Sequence, residues 1–600
     1  VILFLTNADT ELLALRSVLE DLPEGFPAVR GANPARLDGV PDLDGVRAVL
    51  VRLLGGRRAW EPHFDELAER CRDAGIPLLA MGGEALPDAE MAARSTAPSA
   101  TVVQAASYLA QGGPGNVAQL LRFVADTVLM EGFGFEPPVE VAEHGIFSES
   151  SRRAPRPLVG VVFYRAHLVA GNTRFVSDLC RALETAGADT VAAWCYSLRG
   201  ARPAVIDLLA EREVDAVVTT VLAAGAATEG DDANAWDGGA LAALGVPVVQ
   251  AITATTSARD WSASARGISP LDVAMTVAIP EFDGRIVSVP FSFKEEVDDE
   301  LGVPVTAYRT VPDRVGRVAR LAVRLASLRR GPARDRRIAL VLSAYPTKKS
   351  RLGNAVGLDT PASVVALLLA MRDRGYRVDR VPADGDTLMA ELADRVARLE
   401  SGDAGGALGT MGRAPYLEWF ATLPDDARER VLDAWGMPAD ELRFAGIDLG
   451  GVVVCIQPPR GFGENPVAVY HSPDLPPTHH YLAFYRWIDE TWGADAIVHV
   501  GKHGTLEWLP GKSVGLSASC YPDAALGDVP LVYPFVVNDP GEGTQAKRRA
   551  HAVIVDHLVP PMTRADTYDH LARLESLLDT HAQLSALDPS KLPAIRRQVW

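Results

Sequence analysis

Apolar and polar positions along this chain switch repeatedly between two periods, and the switching predicts a succession of strand–helix units. The opening run "VILFLT" is continuously apolar, whereas "TELLALRSVLEDL" after it repeats its apolar positions every three or four residues. The same pairing returns in "VRAVLVRLL" and "FDELAERCRDAG", and "IPLLAMGG" closes the series. Strands buried on both faces read as unbroken apolar runs and surface helices follow the helical period, so residues 1–97 form an α/β domain with a parallel sheet. A helical stretch including "NVAQLLRFVADTVLM" and the polar, proline-bearing "SESSRRAPRP" then predict a helical segment and linker over 98–154.

The runs "LVGVVFY", "TRFVSDLCRALETAG", "DAVVTTVL" and "VPVVQAIT" alternate in the manner of a doubly wound sheet and mark a second α/β domain, 155–332. The basic amphipathic run "DRVGRVARLAVRLASLRR" stops at a Gly-Pro break, and "RIALVLSAYP" starts a third α/β unit, 333–469. Residues 470–600 carry the densest chemistry and read as the start of a metal-site domain. The expected fold class is multidomain α/β: several Rossmann-like or flavodoxin-like parallel-sheet units with helical insertions.

Length supports this division, since 600 residues exceed what one core organises. With 48% hydrophobic and 23% charged residues the chain is built to bury a core. A formal charge of −18 excludes a general nucleic-acid binder and leaves only local basic clusters for acidic ligands. The five cysteines, Cys71, Cys180, Cys195, Cys455 and Cys520, form no C-x-x-C pair, which fits reduced thiols and a cytoplasmic location. No apolar run approaches the ~20 residues that span a bilayer. The absent initiator methionine and the end at "LPAIRRQVW", inside a helical pattern, read as a fragment of a longer polypeptide.

The stretch "ADAIVHVGKHGTLEWLPGKSVGLS", residues 494–517, poses the chemical question. Its Gly-Lys-Ser is not a phosphate loop, because a Walker A loop needs glycine where this chain has Leu506. Glycines 461, 463, 541 and 543 also miss the dinucleotide spacing. His499, His503 and Glu507 are spaced four apart, but Gly501 and Gly504 oppose one continuous helix, so their convergence requires a strand end followed by a loop. Ligands bind at such strand ends in open α/β sheets. The order of the three is not that of a zinc protease. Hydrogen-bonded structural histidines are the competing reading, and the concentration of Lys502, His503, Glu507 and Lys512 among glycines weighs against it. Elsewhere, His479, His480 and Tyr481 open an aromatic helix that is either a wall for a planar ligand or core. Arg165, His167 and Asn172 follow a strand, and Lys348, Lys349, Arg351 and Arg460 lie beside turns.

The strings "GKHGTLEWLPGK", "NDPGEGTQAKRRAHAVIVDHLVPPMTRA", "LPPTHHYLAFYRW", "GNAVGLDTPAS" and "FYRAHLVAGNT" together resemble the CobN and magnesium-chelatase H family, large subunits that hold a tetrapyrrole during metal insertion. The Lys-His-Gly and Leu-Glu-Trp-Leu-Pro-Gly-Lys strings resemble its cobaltochelatase branch most. The resemblance implies a tetrapyrrole site beginning in 470–600, continued in a later half of the longer polypeptide. It implies Co2+ as substrate metal and hydrogenobyrinic acid a,c-diamide as ring, in aerobic cobalamin biosynthesis. ATP and Mg2+ are implied on partner AAA+ subunits of the CobS and CobT kind, with neither nucleic acid nor membrane as partner. Magnesium chelation of protoporphyrin IX, and a non-catalytic tetrapyrrole carrier or sensor, are the alternatives. Glu507 is expected to accept ring protons, His503 to act with it, and His499, His503 and Glu507 to meet the metal. Lys502, Lys512, Trp508, His479, His480, Tyr481, Arg460, Arg165, His167, Asn172, Lys547 and Arg548 are expected to contact the ring, the basic ones through its carboxylates, with Arg549 completing the 547–549 run.

Overall fold

Alternate residues of the first apolar strands face two different layers. In the computed structural model, β1 (Ile2–Thr6), β2 (Val29–Ala32), β3 (Ala48–Leu53) and β4 (Leu78–Gly82) form a parallel sheet in the order β2-β1-β3-β4. Ile2, Phe4 and Leu50 pack under the helices Asp9–Val18, Ser99–Gln111 and Gly113–Thr127. Leu3, Leu5 and Val51 pack on the helix His63–Asp73. This two-residue alternation is what a sheet covered on both faces requires. The structure describes residues 1–83, 88–199, 204–222, 239–297, 305–343, 357–461, 472–501, 504–537 and 539–558, with shorter pieces at 224, 226–227, 236–237 and between 573 and 599.

The segment 98–154, expected to stand apart as helices and a linker, is shared between neighbours. Its two helices supply Val102, Tyr108, Leu120 and Val124 to the first sheet's core, so they are the cover of that sheet. Its end holds β5 (His144–Glu149), an antiparallel edge strand of the second sheet.

That second sheet adds β6 (Leu158–Tyr164), β7 (Asp189–Cys195), β8 (Ala216–Thr219), β11 (Val248–Ala254), β12 (Ile286–Val297) and β13 (Val305–Thr310) in the order β13-β12-β11-β8-β6-β7-β5. Between β8 and β11, β9 (Ala226–Ala227) and β10 (Trp236–Asp237) form a separate small pair. The helix Arg174–Thr185 buries Phe175, Val176, Leu179, Cys180 and Leu183, the three-to-four-residue stripe visible in its sequence.

The third sheet contains β14 (Ile338–Leu342), β15 (Ala407–Gly412), β16 (Glu441–Asp448), β17 (Val452–Ile456), β18 (Ala496–Val500), β19 (Leu531–Val536) and β20 (Val553–His557), ordered β15-β16-β17-β14-β18-β19-β20. It runs straight across the division expected at residue 470: β14 pairs in parallel with β17 on one side and with β18 on the other. A boundary placed by local composition cannot register such long-range pairing. The helix Pro312–Arg330 joins the second and third sheets, burying Val318, Leu321 and Ala322 against the former. All five cysteines are free and buried, and among the described residues no helix is long and apolar enough to cross a membrane.

Candidate functional site

The chain order reverses at β14. From it the path leads to β17 on one flank and then, through the helix His479–Arg486, to β18 on the other. In a doubly wound sheet this switch point opens a crevice at the carboxyl ends of the strands. The residues leaving those ends are Ser343 after β14, Gln457 after β17, and Gly501 after His499 and Val500 in β18. Gly501 has φ +141, and a Cβ there would stand 2.7 Å from Ser343 Oγ, so glycine is what lets β18 and β14 end side by side.

Beyond Gly501, Gly504 leads into a short 3-10 turn, Leu506–Trp508, that buries Glu507 completely. Tyr533, in β19, donates to Glu507 Oε1 at 3.4 Å and accepts the Gly504 N–H. Oε2 has no hydrogen-bond partner among the described residues. With so little to hold a negative charge, burial pushes the carboxyl up to about 8. His499 is equally enclosed: its Nε2 meets Tyr485 Oη at 2.9 Å and its ring stands edge-on to Tyr533 at 5.4 Å, while Nδ1 has no partner among the described residues. Desolvation drives this imidazole down to about 3, so it is neutral and able to offer a lone pair.

A hydrogen-bonded layer backs these two groups. Gln457 Nε2 donates to Tyr485 Oη (2.6 Å) and Tyr481 Oη (3.1 Å). Its Oε1 accepts from Thr505 N (3.3 Å) and Oγ1 (3.2 Å), and Tyr481 Oη meets Thr505 Oγ1 at 2.9 Å. Every member is buried, so the layer fixes the strand ends and the 504–508 turn against one another. Two polar atoms, Glu507 Oε2 and His499 Nδ1, thus find no described partner inside an otherwise satisfied network. Unpaired buried donors and acceptors are costly and mark places where a proton, ligand or metal is expected.

Of the expected metal set, His499 and Glu507 come to this crevice and His503 lies outside the described residues, as do Lys502, Lys348, Lys349 and Arg351. Among the described residues no three His, Cys, Asp or Glu side chains group as a metal site. Four cavities among the described residues lie elsewhere, and neither Glu507 nor His499 lines any of those four. The described side chains pack Glu507 against Tyr533 and the layer behind it.

Most residues expected to grip ring carboxylates hold the protein instead. The three N–H groups of Lys512 match three carbonyls, Trp261 (2.9 Å), Ser262 (3.0 Å) and Ser264 (2.6 Å). Arg460 donates to the carbonyls of Trp508, Ser472 and Leu475, and Arg548 makes a two-pronged pair with Glu281 at 3.0 and 2.6 Å. Arg549 donates to the carbonyls of Glu507, Leu509 and Lys512. His479 sits between Tyr416 Oη and the Gly436 carbonyl, and His480 meets the Arg443 carbonyl and stacks on Phe444. Tyr481 belongs to the backing layer. Arg165 donates to the Val141 and Ala142 carbonyls, Asn172 accepts from Tyr308 N, and His167 stands edge-on to Phe175 and Tyr308, held down to about 4 by burial. These three lie in the short helix and turn that follow β6 of the second sheet. Lys547 lines a cavity of about 300 Å³ between the second and third sheets, and Trp508, half-buried, adjoins Glu507 in the same turn. Gln457, Thr505 and Tyr533 escaped the sequence reading. The signal for Gln457 was its place as the first polar residue after the apolar run "VVVCI".

The fold and site define a multidomain α/β protein with a fully buried carboxyl at the switch point of its third sheet. A family model described as CobN/Magnesium Chelatase matches residues 106–600, and the chain belongs to that family. It is 38% identical to the aerobic cobaltochelatase subunit CobN of Pseudomonas aeruginosa, over 100% of this chain and 50% of that protein. It is 29% identical to the H-type magnesium-chelatase subunit of Chlorobaculum parvum, over 79% of this chain and 38% of that one. A solved structure, the catalytic subunit of cobaltochelatase from Mycobacterium tuberculosis, superposes with a TM-score of 0.75 at 48% identity, covering 100% of this chain and 51% of that one. The chain thus spans about half the length of these cobaltochelatase subunits.

Proposed function

We propose that this chain forms part of the large, ring-holding subunit of an ATP-dependent cobaltochelatase, which inserts Co2+ into hydrogenobyrinic acid a,c-diamide in aerobic cobalamin biosynthesis. The likeness to cobaltochelatase subunits along the whole chain supports the activity. One observation carries the chemistry: a fully buried carboxyl, raised to about 8, at a strand-end crevice. Metal insertion replaces ring N–H protons by the metal, so a base must take each proton as the nitrogen lone pair turns to Co2+. Glu507, held by the Tyr533 bond to Oε1, serves that task in its ionised form: it first releases its own proton to solvent, more readily as pH rises towards 8, and Oε2, without a described partner, then takes the ring proton. Neutral His499, together with His503, offers imidazole nitrogen to Co2+ as the substrate metal sheds water. The ring would approach from the carboxyl ends of β14, β17 and β18, with Trp508 next to the acid in sequence and His503 and Lys502 four and five residues before it.

ATP and Mg2+ belong, in this reading, to AAA+ partners of the CobS and CobT kind, and the complex works in the cytoplasm. Magnesium chelation is the second reading; the higher identity to cobaltochelatase subunits, 38% against 29%, favours cobalt. The deciding experiment assembles the full-length subunit with its ATPase partners and follows ring absorbance with Co2+ and the corrinoid, or with Mg2+ and protoporphyrin IX. ATP-dependent conversion of the corrinoid alone supports the proposal, conversion of protoporphyrin alone selects magnesium chelation, and ring binding without conversion selects a carrier. Glu507→Gln is expected to abolish insertion and leave ring affinity within about threefold.

A further inference from the structure

The stretch from Glu507 to Ser517 is a strap fastened to two sheets. On the third-sheet side, Arg549 of the helix Pro540–Ala550 donates to the carbonyls of Glu507 (2.6 Å), Leu509 (2.7 Å) and Lys512 (3.1 Å). On the second-sheet side, the Lys512 ammonium reaches three carbonyls at the end of the helix Ala258–Ala263 and lies 5.4 Å from the Trp261 ring centroid. Trp261 Nε1 returns a hydrogen bond to the Gly515 carbonyl at 2.8 Å, and Gly267 forms a parallel bridge with Val514.

Burying an ammonium is costly, and an apolar side chain would join two sheets without that cost. What lysine adds is direction. The last carbonyls of a helix lack intrahelical partners and carry the negative end of its dipole, so a three-donor cation placed there fixes the helix end in position and angle. One guanidinium, that of Arg549, holds both the Lys512 and the Glu507 carbonyls, so a displacement at Lys512 passes directly to the Glu507 turn.

We propose that Lys512 is a positioning residue that ties the Glu507 turn to the end of the helix Ala258–Ala263, so that the relative seating of the second and third sheets sets where the carboxylate stands. The proposal rests on the reading of Glu507 as proton acceptor and extends it to a sheet that contributes none of the groups in the crevice.

The test uses the full-length subunit with its ATPase partners, Co2+ and the corrinoid, and compares Lys512→Met, Lys512→Arg, Trp261→Phe and the Lys512→Met/Trp261→Phe pair. Lys512→Met is expected to lower kcat at least about tenfold with ring Kd changed less than about threefold. Lys512→Arg, whose guanidinium can donate to the same carbonyls, recovers part of the loss. Trp261→Phe lowers kcat about threefold, and the pair is no worse than Lys512→Met by more than about twofold, because both changes release one strap. Amide exchange at 506–515 quickens in Lys512→Met while β14 and β17 keep their protection. A ring Kd raised about tenfold with kcat retained would make Lys512 a ring-binding cation and overturn the proposal, as would kcat within about twofold of wild type. Should Lys512→Met not fold, Trp261→Phe decides: kcat lowered about threefold with ring Kd changed less than about threefold supports the proposal, and kcat within about twofold of wild type overturns it. A Glu507→Gln enzyme that still inserts cobalt removes the proton-acceptor reading separately, while amide exchange still reports on the strap.

Discussion

A carboxyl group without exposed surface keeps its proton at neutral pH unless something holds its charge, and Glu507 has Tyr533 against one oxygen and no described partner against the other. Its folded-state value of about 8 stands above the ordinary 4.5, so the folded chain retains a proton that the unfolded chain releases. The resulting stabilisation is complete below about pH 4.5, is lost as pH rises, and is gone above about 8. Glutamine is neutral throughout, so Glu507→Gln should leave the melting temperature unchanged near pH 4.5 and raise it at pH 8, by about 2–4 kcal/mol of stability. Thermal unfolding at several pH values checks this, and a destabilised variant at pH 8 would contradict it. At this scale the sequence singled out the glutamate that follows a strand among glycines, and the structure encloses it at that strand end. It could not reveal where Lys512, Arg460 and Arg548 point. Charge type says that a cation needs acceptors, and backbone carbonyls serve as well as a ligand's carboxylates.

Strands and turns behave differently from single side chains, since one close contact fixes a whole segment. Gly267 has φ +93, and a Cβ there would lie 1.8 Å from the Val514 carbonyl oxygen. Gly267→Ala should therefore displace the strap and destabilise by more than about 1 kcal/mol, with loss of cobalt insertion exceeding that of an alanine at open Gly284. Parallel unfolding and insertion assays of the two variants measure the difference. Buried parallel strands were readable as apolar runs, and β6 and β14 lie where the pattern put them. The edge strand β5 was not readable. It leaves four of its six residues exposed on a sheet margin, so "HGIFSE" has neither an apolar run nor a clean alternation and passes for linker.

The whole molecule is joined across its sheets by buried charge. Arg314 and Arg317, on the helix Pro312–Arg330, both pair with Asp523 at 2.8 and 2.9 Å, and Arg317 also reaches His551 Nδ1 at 3.0 Å. Removing the shared acid leaves Arg314 with Asp313 alone and Arg317 with Asp528 alone as acidic partners, so Asp523→Ala should cost about 3 kcal/mol and split one calorimetric transition into two as the sheets part. A single unshifted transition would speak against this seam. Three enclosed imidazoles, His167, His499 and His551, are held down to about 4, 3 and 3. Each stays neutral in the fold while the unfolded chain takes up protons below about 6.5, so acidification through that value removes stability. With Glu507 acting oppositely at higher pH, these four groups place maximum thermal stability near pH 6.5, which a melting series from 5 to 9 would locate. Sheet order was the part of the fold hidden from local pattern, since Ile338 pairs with Ala496 across a long stretch of chain. One further consequence follows from what lies beneath the strap. Cys520, 2% exposed, accepts the Lys512 N–H on its sulfur at 3.2 Å and touches Ser517 Oγ at 3.4 Å. A thiol so shielded is silent towards alkylating reagents until the covering segment lifts, so its rate of modification counts those excursions in the unlabelled native protein, a built-in chemical clock at the threshold of the crevice.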